Sequence, residues 1–402
     1  MTERRDRLFF ASSIALIATA MCFGVRADIM DALTAQFRLT REELGWIAGT
    51  AFWGFTVSMF IGGQICDAIG MRRLVQAAFA GHVAGIALTI FAGGFWTLYA
   101  GTLFIGLANG FFEAAANPLI ATLYPELKTE RLNRLHVWFP GGIVIGGLVG
   151  YAFTAFDLSW QAKMATILAP TLAYGWMLLR EDFPWTERVQ NQVSTAAMYR
   201  EALRPGFLVL LFCILLTAAT ELGPNQWLPS ILTKTARLPG ILVLVWITGL
   251  MALGRRFAGV IVSRIAPTAL LILSTALAAF GLFGLSLAQS AVPVLIAATI
   301  YAIGVCWSWP TMYGITAERF PAGGAFLLAV IGSAGMLSDA LIVPVMGRIY
   351  DSRGPAPALR IIAVLPCVVT VVFALIWLYD RAHGGYRVVR LDQGAAEARG
   401  VR

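Results

Sequence analysis

Apolar residues in this chain gather in long runs separated by short polar segments. A helix needs about 20 mostly apolar residues to cross hydrocarbon, and on that ruler about twelve spans follow. The first six are Leu8–Leu33, Leu44–Ile65, Leu74–Gly94, Phe95–Leu123, Leu135–Phe156 and Ala162–Leu179. The second six are Gly206–Leu232, Pro239–Val262, Thr268–Ala288, Val292–Ile315, Ala322–Ile349 and Leu359–Tyr379. Runs this long exclude the strands of a membrane barrel, so the pattern predicts an all-α bundle. Arg180 to Pro205 is polar and divides the spans evenly. The expected organisation is therefore a six-helix bundle over 1–180, a linker over 181–204, a second bundle over 205–380 and a tail over 381–402.

The fourth run is interrupted near its middle by Glu113, Asn117 and Pro118. An acidic side chain at that depth costs about 2.5–3.5 kcal/mol on the lenient insertion scale. It is retained either because it faces a wet cavity and works there, or because a buried Lys or Arg pairs with it. Asp28, Asp31 and Glu221 are further acids at or near membrane depth. Asp28 and Asp31, three residues apart, share a helix face. Asp28 is open to a purely structural pairing with Arg26. Asp339 has no role assigned by spacing and has Arg255 or Arg256 as candidate partners. His82 reads as a packing residue.

Composition agrees with a membrane protein: of 402 residues 58% are hydrophobic and 13% charged, about half the charged share of soluble domains. Net charge is +8, but the basic residues fall in short loops and tails, which argues against a nucleic-acid surface. Their bias, with Arg4, Arg5, Arg7, Arg72 and Arg73 on one side, places both termini in the cytoplasm of a bacterial-type inner membrane. The run after Arg7 continues without a cleavage site, so it reads as a retained first span rather than a signal peptide. Five cysteines without a CxxC pair and three scattered histidines predict neither disulfide nor metal site. No nucleophile–base constellation points to an enzyme. The absence of a phosphate-binding glycine loop argues against ATP-driven work, and no cofactor is expected.

The two halves echo one another. Asn117-Pro118 precedes Glu126 at the offset by which Trp309-Pro310 precedes Glu318, and the Gly63–Asp67 spacing recurs as Gly259–Ser263. Gly63-Gln-Ile-Cys-Asp67-Ala-Ile-Gly70-Met-Arg72-Arg73 resembles the loop motif of the major facilitator superfamily, with Ala68 and Met71 where that motif has arginines. The resemblance implies two pseudo-symmetric six-helix bundles, with Asp67, Gly63, Gly70 and Arg72 as a conformational latch. Glu113-Ala-Ala-Ala-Asn117-Pro118 followed by Arg131-Leu-Asn133 resembles the fucose:proton symporter branch, as do the segments Asp31 to Phe37, Glu221 to Trp227 and Trp309 to Tyr313.

The branch implies proton-coupled symport of a neutral monosaccharide by alternating access, with Glu113 and Asp31 as proton carriers. His136 stands where relatives place a sugar-binding Gln. A carboxylate whose surroundings alternate between closed apolar packing and water can load and release a proton. Asn117, His136, Glu221, Asn225, Gln226, Trp227 and Asp28 are the expected substrate contacts, in a monomer whose partners are sugar, proton and bilayer. Alternatives are a proton-coupled exporter of amphipathic compounds, a sodium-coupled symporter, and a transporter-shaped sensor.

Overall fold

The computed structural model describes residues 2–124, 128–185, 195–257, 265–320 and 323–389, and among them every regular element is helical. The first half contains α1 (Thr2–Phe37), α2 (Arg41–Ile69), α3 (Met71–Ile90), α4 (Phe95–Leu123), α5 (Lys128–His136), α6 (Trp138–Ala155), α7 (Trp160–Ala165) and α8 (Leu168–Leu178). After α9 (Thr195–Ala202) the second half follows as α10 (Pro205–Thr235), α11 (Gly240–Arg256), α12 (Pro267–Leu287), α13 (Ala291–Cys306) and α14 (Ser308–Arg319), then α15 (Gly324–Arg353), α16 (Pro355–Ile362) and α17 (Val364–Ala382).

Ten stretches of the described residues are helical, long and apolar enough to cross a membrane. The two other expected spans fall short for identifiable reasons. The sixth is interrupted between α7 and α8, and the eighth, α11, is described over 17 residues.

The segmentation follows from proline. Pro140, Pro170, Pro310 and Pro366 are each the third residue of a helix, in α6, α8, α14 and α17. Proline has no N–H for the carbonyl four residues back and its ring crowds that carbonyl. The four carbonyls concerned belong to His136, Thr166, Cys306 and Ile362, each at the end of the preceding helix. Pro118 and Pro344 sit instead within continuous helices.

Turn chemistry joins the helices where chain direction reverses. Thr40 caps α2 by accepting from Glu43 N at 3.1 Å, while Glu43 Oε2 accepts from Thr40 N at 2.8 Å. These bonds satisfy helix-end donors at the polar boundary. Gly70 adopts φ +84° between α2 and α3, where a side chain would be strained.

Within the halves, α1 packs on α6, α2 and α3 on α4, α12 on α13, and α10 on α15. Lipid tails are as apolar as leucine, so such contacts depend on close backbone approach. A Cβ on Gly54 would lie 2.6 Å from Leu103 O, and one on Gly146 would lie 2.9 Å from Met21 O. Between the halves, α2 runs along α15, α6 along α11, and α1 meets α10.

One face of the bundle carries the start of α1 and the described segment that follows α17. Arg7 meets Glu181 at 2.5 Å and Arg72 meets Asp182 at 3.6 Å. Tyr199 of α9 bonds Gln64 and stacks edge-on with Phe326, so the linker helix bridges α2 and α15 on this face. Here too the chain after α17 folds back, with Val389 N donating to Glu318 O at 2.9 Å and the Tyr386 hydroxyl donating to Glu318 Oε2 at 2.6 Å. Burial and the Glu318 carboxylate together push the Tyr386 phenol above its ordinary range. On the far face, Arg348 meets Glu42 at 2.5 Å and Asp351 accepts from Glu42 N at 3.0 Å.

Of the expected latch, Gly63 packs close to Ala329 of α15, Gly70 forms the turn, and Arg72 pairs with Asp182 and donates to Leu179 O. The Asp67 side chain, Glu126, Gly259 and Ser263 lie outside the described residues.

Candidate functional site

Between the two halves lies a cavity of about 30 Å³. Its polar wall is Glu113 of α4, His136 at the end of α5, Glu221 of α10 and Arg255 of α11, faced by Trp309 and Tyr313 of α14. A water molecule needs about 10–15 Å³ of such space, so this closed arrangement has room for a water or two. Phe55, Met59, Phe139, Leu222 and Met336 complete an otherwise apolar lining.

Glu113 is 7% exposed. Asn117, one helical turn on, donates from Nδ2 to Glu113 Oε2 at 3.3 Å, and Asn117 Oδ1 lies 3.0 Å from His136 Nε2. With Asn117 oriented this way, Nε2 carries the hydrogen. The three residues form one polar chain linking α4 to α5, and the break at Pro140 ends α5 at the residue that completes it. Glu113 has no ion-pair partner among the described residues.

The second polar element is a buried pair. Arg255 Nη2 meets Glu221 Oε1 at 3.1 Å, with side chains 6% and 5% exposed. Arg255 Nε also donates to Cys306 O at 3.0 Å, the carbonyl left without a helical donor by Pro310. A proline-made defect in the tenth span thus orients the arginine that neutralises Glu221. Trp309 and Tyr313, four apart on α14, stack with centroids 6.1 Å apart and planes at 22°.

Several expectations are corrected by this geometry. Asp31 does not reach the cavity: Arg41 holds it at 2.5 Å, Ser230 donates to it at 3.0 Å, and its side chain is 45% exposed. Asp28 pairs with Lys163 at 2.6 Å rather than with Arg26, because residues two apart on a helix diverge by about 200°. Trp227 is fully buried and donates to Val343 O at 3.0 Å, which makes it packing between α10 and α15. Gln226 accepts from Arg26 Nε at 3.0 Å, and Asn225 is 2% exposed, so neither lines the cavity.

Asn117 stands one hydrogen bond behind the wall. Asp339 is fully buried and pairs with neither Arg255 nor Arg256 among the described contacts. His82 lies 2.8 Å from Tyr174 OH and 2.7 Å from Asn109 Oδ1, a packed and satisfied ring. The sequence reading missed Arg255 as the partner of Glu221. The available signal was an arginine set at the end of an apolar run.

The chain was compared with known proteins. The Major Facilitator Superfamily profile matches residues 8–338. A Bacillus subtilis (strain 168) protein that carries the name niacin/nicotinamide transporter NiaP is 22% identical over 394 residues, covering 90% of this chain and 94% of that protein. Among solved structures, the human organic anion transporter MFSD10 (TETRAN) superposes with a TM-score of 0.69 at 14% identity, over 92% of this chain and 99% of that one. The E. coli fucose:proton symporter FucP superposes with a TM-score of 0.65 at 17% identity, over 91% and 98%. At these identities the structures establish the shared fold, and the profile spans most of the sequence. This chain, with its paired helical halves around a polar cavity, therefore belongs to the major facilitator superfamily of membrane transporters.

Proposed function

We propose that this transporter is a proton-coupled symporter of a small polar organic molecule, with a monosaccharide as the cargo implied by its sequence motifs. The observation that carries the reading is the polar chain Glu113–Asn117–His136, with Glu113 and His136 on the cavity wall. Glu113 is an acid in a largely apolar enclosure with no ion-pair partner of its own among the described residues, Arg255 on the same wall being taken by Glu221, the setting in which gaining and losing a proton tracks access to water. Asn117 connects it to His136, so a proton on Glu113 alters the bonds offered to a cargo. That is the thermodynamic form of coupling. Cargo hydroxyls have Glu113 and His136 on the wall as partners, with Asn117 bonded behind both, and the paired rings of Trp309 and Tyr313 offer a face to C–H groups.

The Bacillus relative is named for niacin/nicotinamide, which is not a sugar. The cargo is accordingly defined by its polar groups rather than by a pyranose ring. The cavity is too small for any such molecule in the arrangement described, as expected of a site that opens to each side in turn.

The test is Glu113→Gln in proteoliposomes. Uptake driven by a pH gradient should be abolished, while exchange of cargo across the membrane persists. Retention of gradient-driven uptake removes Glu113 from the coupling. A second reading, proton-coupled export of amphipathic compounds, is favoured by the apolar part of the lining, Phe55, Phe139 and Leu222 among it. Net outward flux against an inward proton gradient would establish it.

A further inference from the structure

One buried charge is not used by this reading. Arg26, in the middle of α1, is 6% exposed, yet no carboxylate lies within ion-pair distance of it among the described residues. The other deeply placed cations are neutralised: Lys163 by Asp28, Arg255 by Glu221, Arg41 by Asp31 and Arg319 by Asp380. What surrounds Arg26 lowers its cost without cancelling its charge. Nε donates to Gln226 Oε1 at 3.0 Å, and the guanidinium lies 4.8 Å from the Phe23 ring centre and 5.6 Å from that of Phe52. Nη2 is buried with no hydrogen-bond acceptor. An unpaired cation at membrane depth is costly and marks a ligand or ion path by default.

Its place in the fold suits a cargo contact. Arg26 lines a second hollow of about 20 Å³ with Cys22, Ile29, Ala48, Thr102 and Met164. Phe23, beneath the guanidinium, packs against Phe139 at 5.7 Å, and Phe139 lines the central cavity. Two aromatic rings, Phe23 and Phe139, therefore lie between the cation and that cavity. Gln226, its neutral partner, belongs to α10 in the other half. Parting the halves withdraws Gln226 and leaves Nε, beside the already unpartnered Nη2, facing the opened gap. The neighbouring Asn225 also has both amide atoms without a partner.

We infer that Arg26 is the docking residue for an anionic group of the cargo, and that the transported molecule is a small monocarboxylic acid rather than a neutral sugar. The inference rests on the proposed symport for its route, and it sharpens the cargo class. A planar carboxylate matches the fork of the guanidinium with two parallel hydrogen bonds, replacing the single one from Gln226. Moving one carboxylate with one proton also carries no net charge, so neither ion crosses against the membrane field alone.

The test is thermal unfolding of the purified full chain with matched acid and neutral probes, gluconate against glucose and benzoate against benzamide. A ligand that binds only the folded form raises the midpoint. The expected result is stabilisation by at least one acid, with its neutral counterpart weaker by about tenfold or more in half-saturating concentration. Arg26→Gln should lose that difference, and Arg26→Lys should keep part of it. The proposal is overturned if no acid exceeds its neutral counterpart in the unsubstituted chain, or if Arg26→Gln, or Arg26→Lys should Arg26→Gln not fold, responds as the unsubstituted chain does. Acid-specific stabilisation without uptake driven by a pH gradient would refute the proton-coupled reading and leave the Arg26 site standing.

Discussion

At the residue scale, the Glu221–Arg255 contact ties α10 to α11 through two charges that water scarcely reaches. Removing one member leaves the other buried and unpaired, which costs about 3–5 kcal/mol, whereas removing both together is often neutral. Glu221→Leu and Arg255→Met should each lower the unfolding midpoint sharply, and the double substitution should recover most of the loss. A double variant as unstable as the worse single one would show that the pair acts through something other than charge balance, such as the Arg255 bond to Cys306 O. Nothing in local spacing reveals this partnership, since 34 residues separate the two. Local spacing was misleading for Asp28 too: Arg26 is near in sequence but projects from another side of α1, and Lys163, from α7, reaches the carboxylate instead. The burial of Glu113 was legible from its depth in the run alone. Its link to His136 required knowing how α4 and α5 meet.

At the scale of elements, the spans were readable because hydrocarbon thickness imposes a minimum apolar length. Proline in an apolar run marks where a span can break, but Pro310 breaks one and Pro118 and Pro344 do not. Each of the four prolines described above denies a carbonyl its donor four residues on, and what satisfies that carbonyl differs: Thr166 O accepts from Ala169 N at 3.2 Å. For Cys306 the answer is Arg255. Pro310→Ala restores a backbone donor to that carbonyl and draws Arg255 away from it. The expected outcome is slower transport with little change in the unfolding midpoint, because the donor gained is offset by the greater freedom alanine gives the unfolded chain, about 0.4–1 kcal/mol. Transport at the unsubstituted rate would mean that the break has no part in the working cycle.

Over the whole molecule, the two halves are joined most visibly on the far face, where Glu42 at the start of α2 meets Arg348 and Asp351 near the end of α15. The proposed alternating access requires these groups to part. Glu42→Cys with Arg348→Cys, bridged by a thiol-reactive bismaleimide, should stop net transport and exchange alike, while either single variant treated with the same reagent continues to work. Unaltered flux in the bridged protein would place the moving boundary elsewhere. The arrangement of this face also makes its hold on the closed form depend on the medium. Glu42 and Arg348 are open to solvent, and electrostatic attraction between exposed groups fades as the Debye length shrinks from about 30 Å in 0.01 M salt to about 3 Å in 1 M. The same polypeptide is thus fastened more firmly in dilute surroundings than in brine, and under the proposed cycle its balance between closed and open forms should shift with the ionic strength at this face.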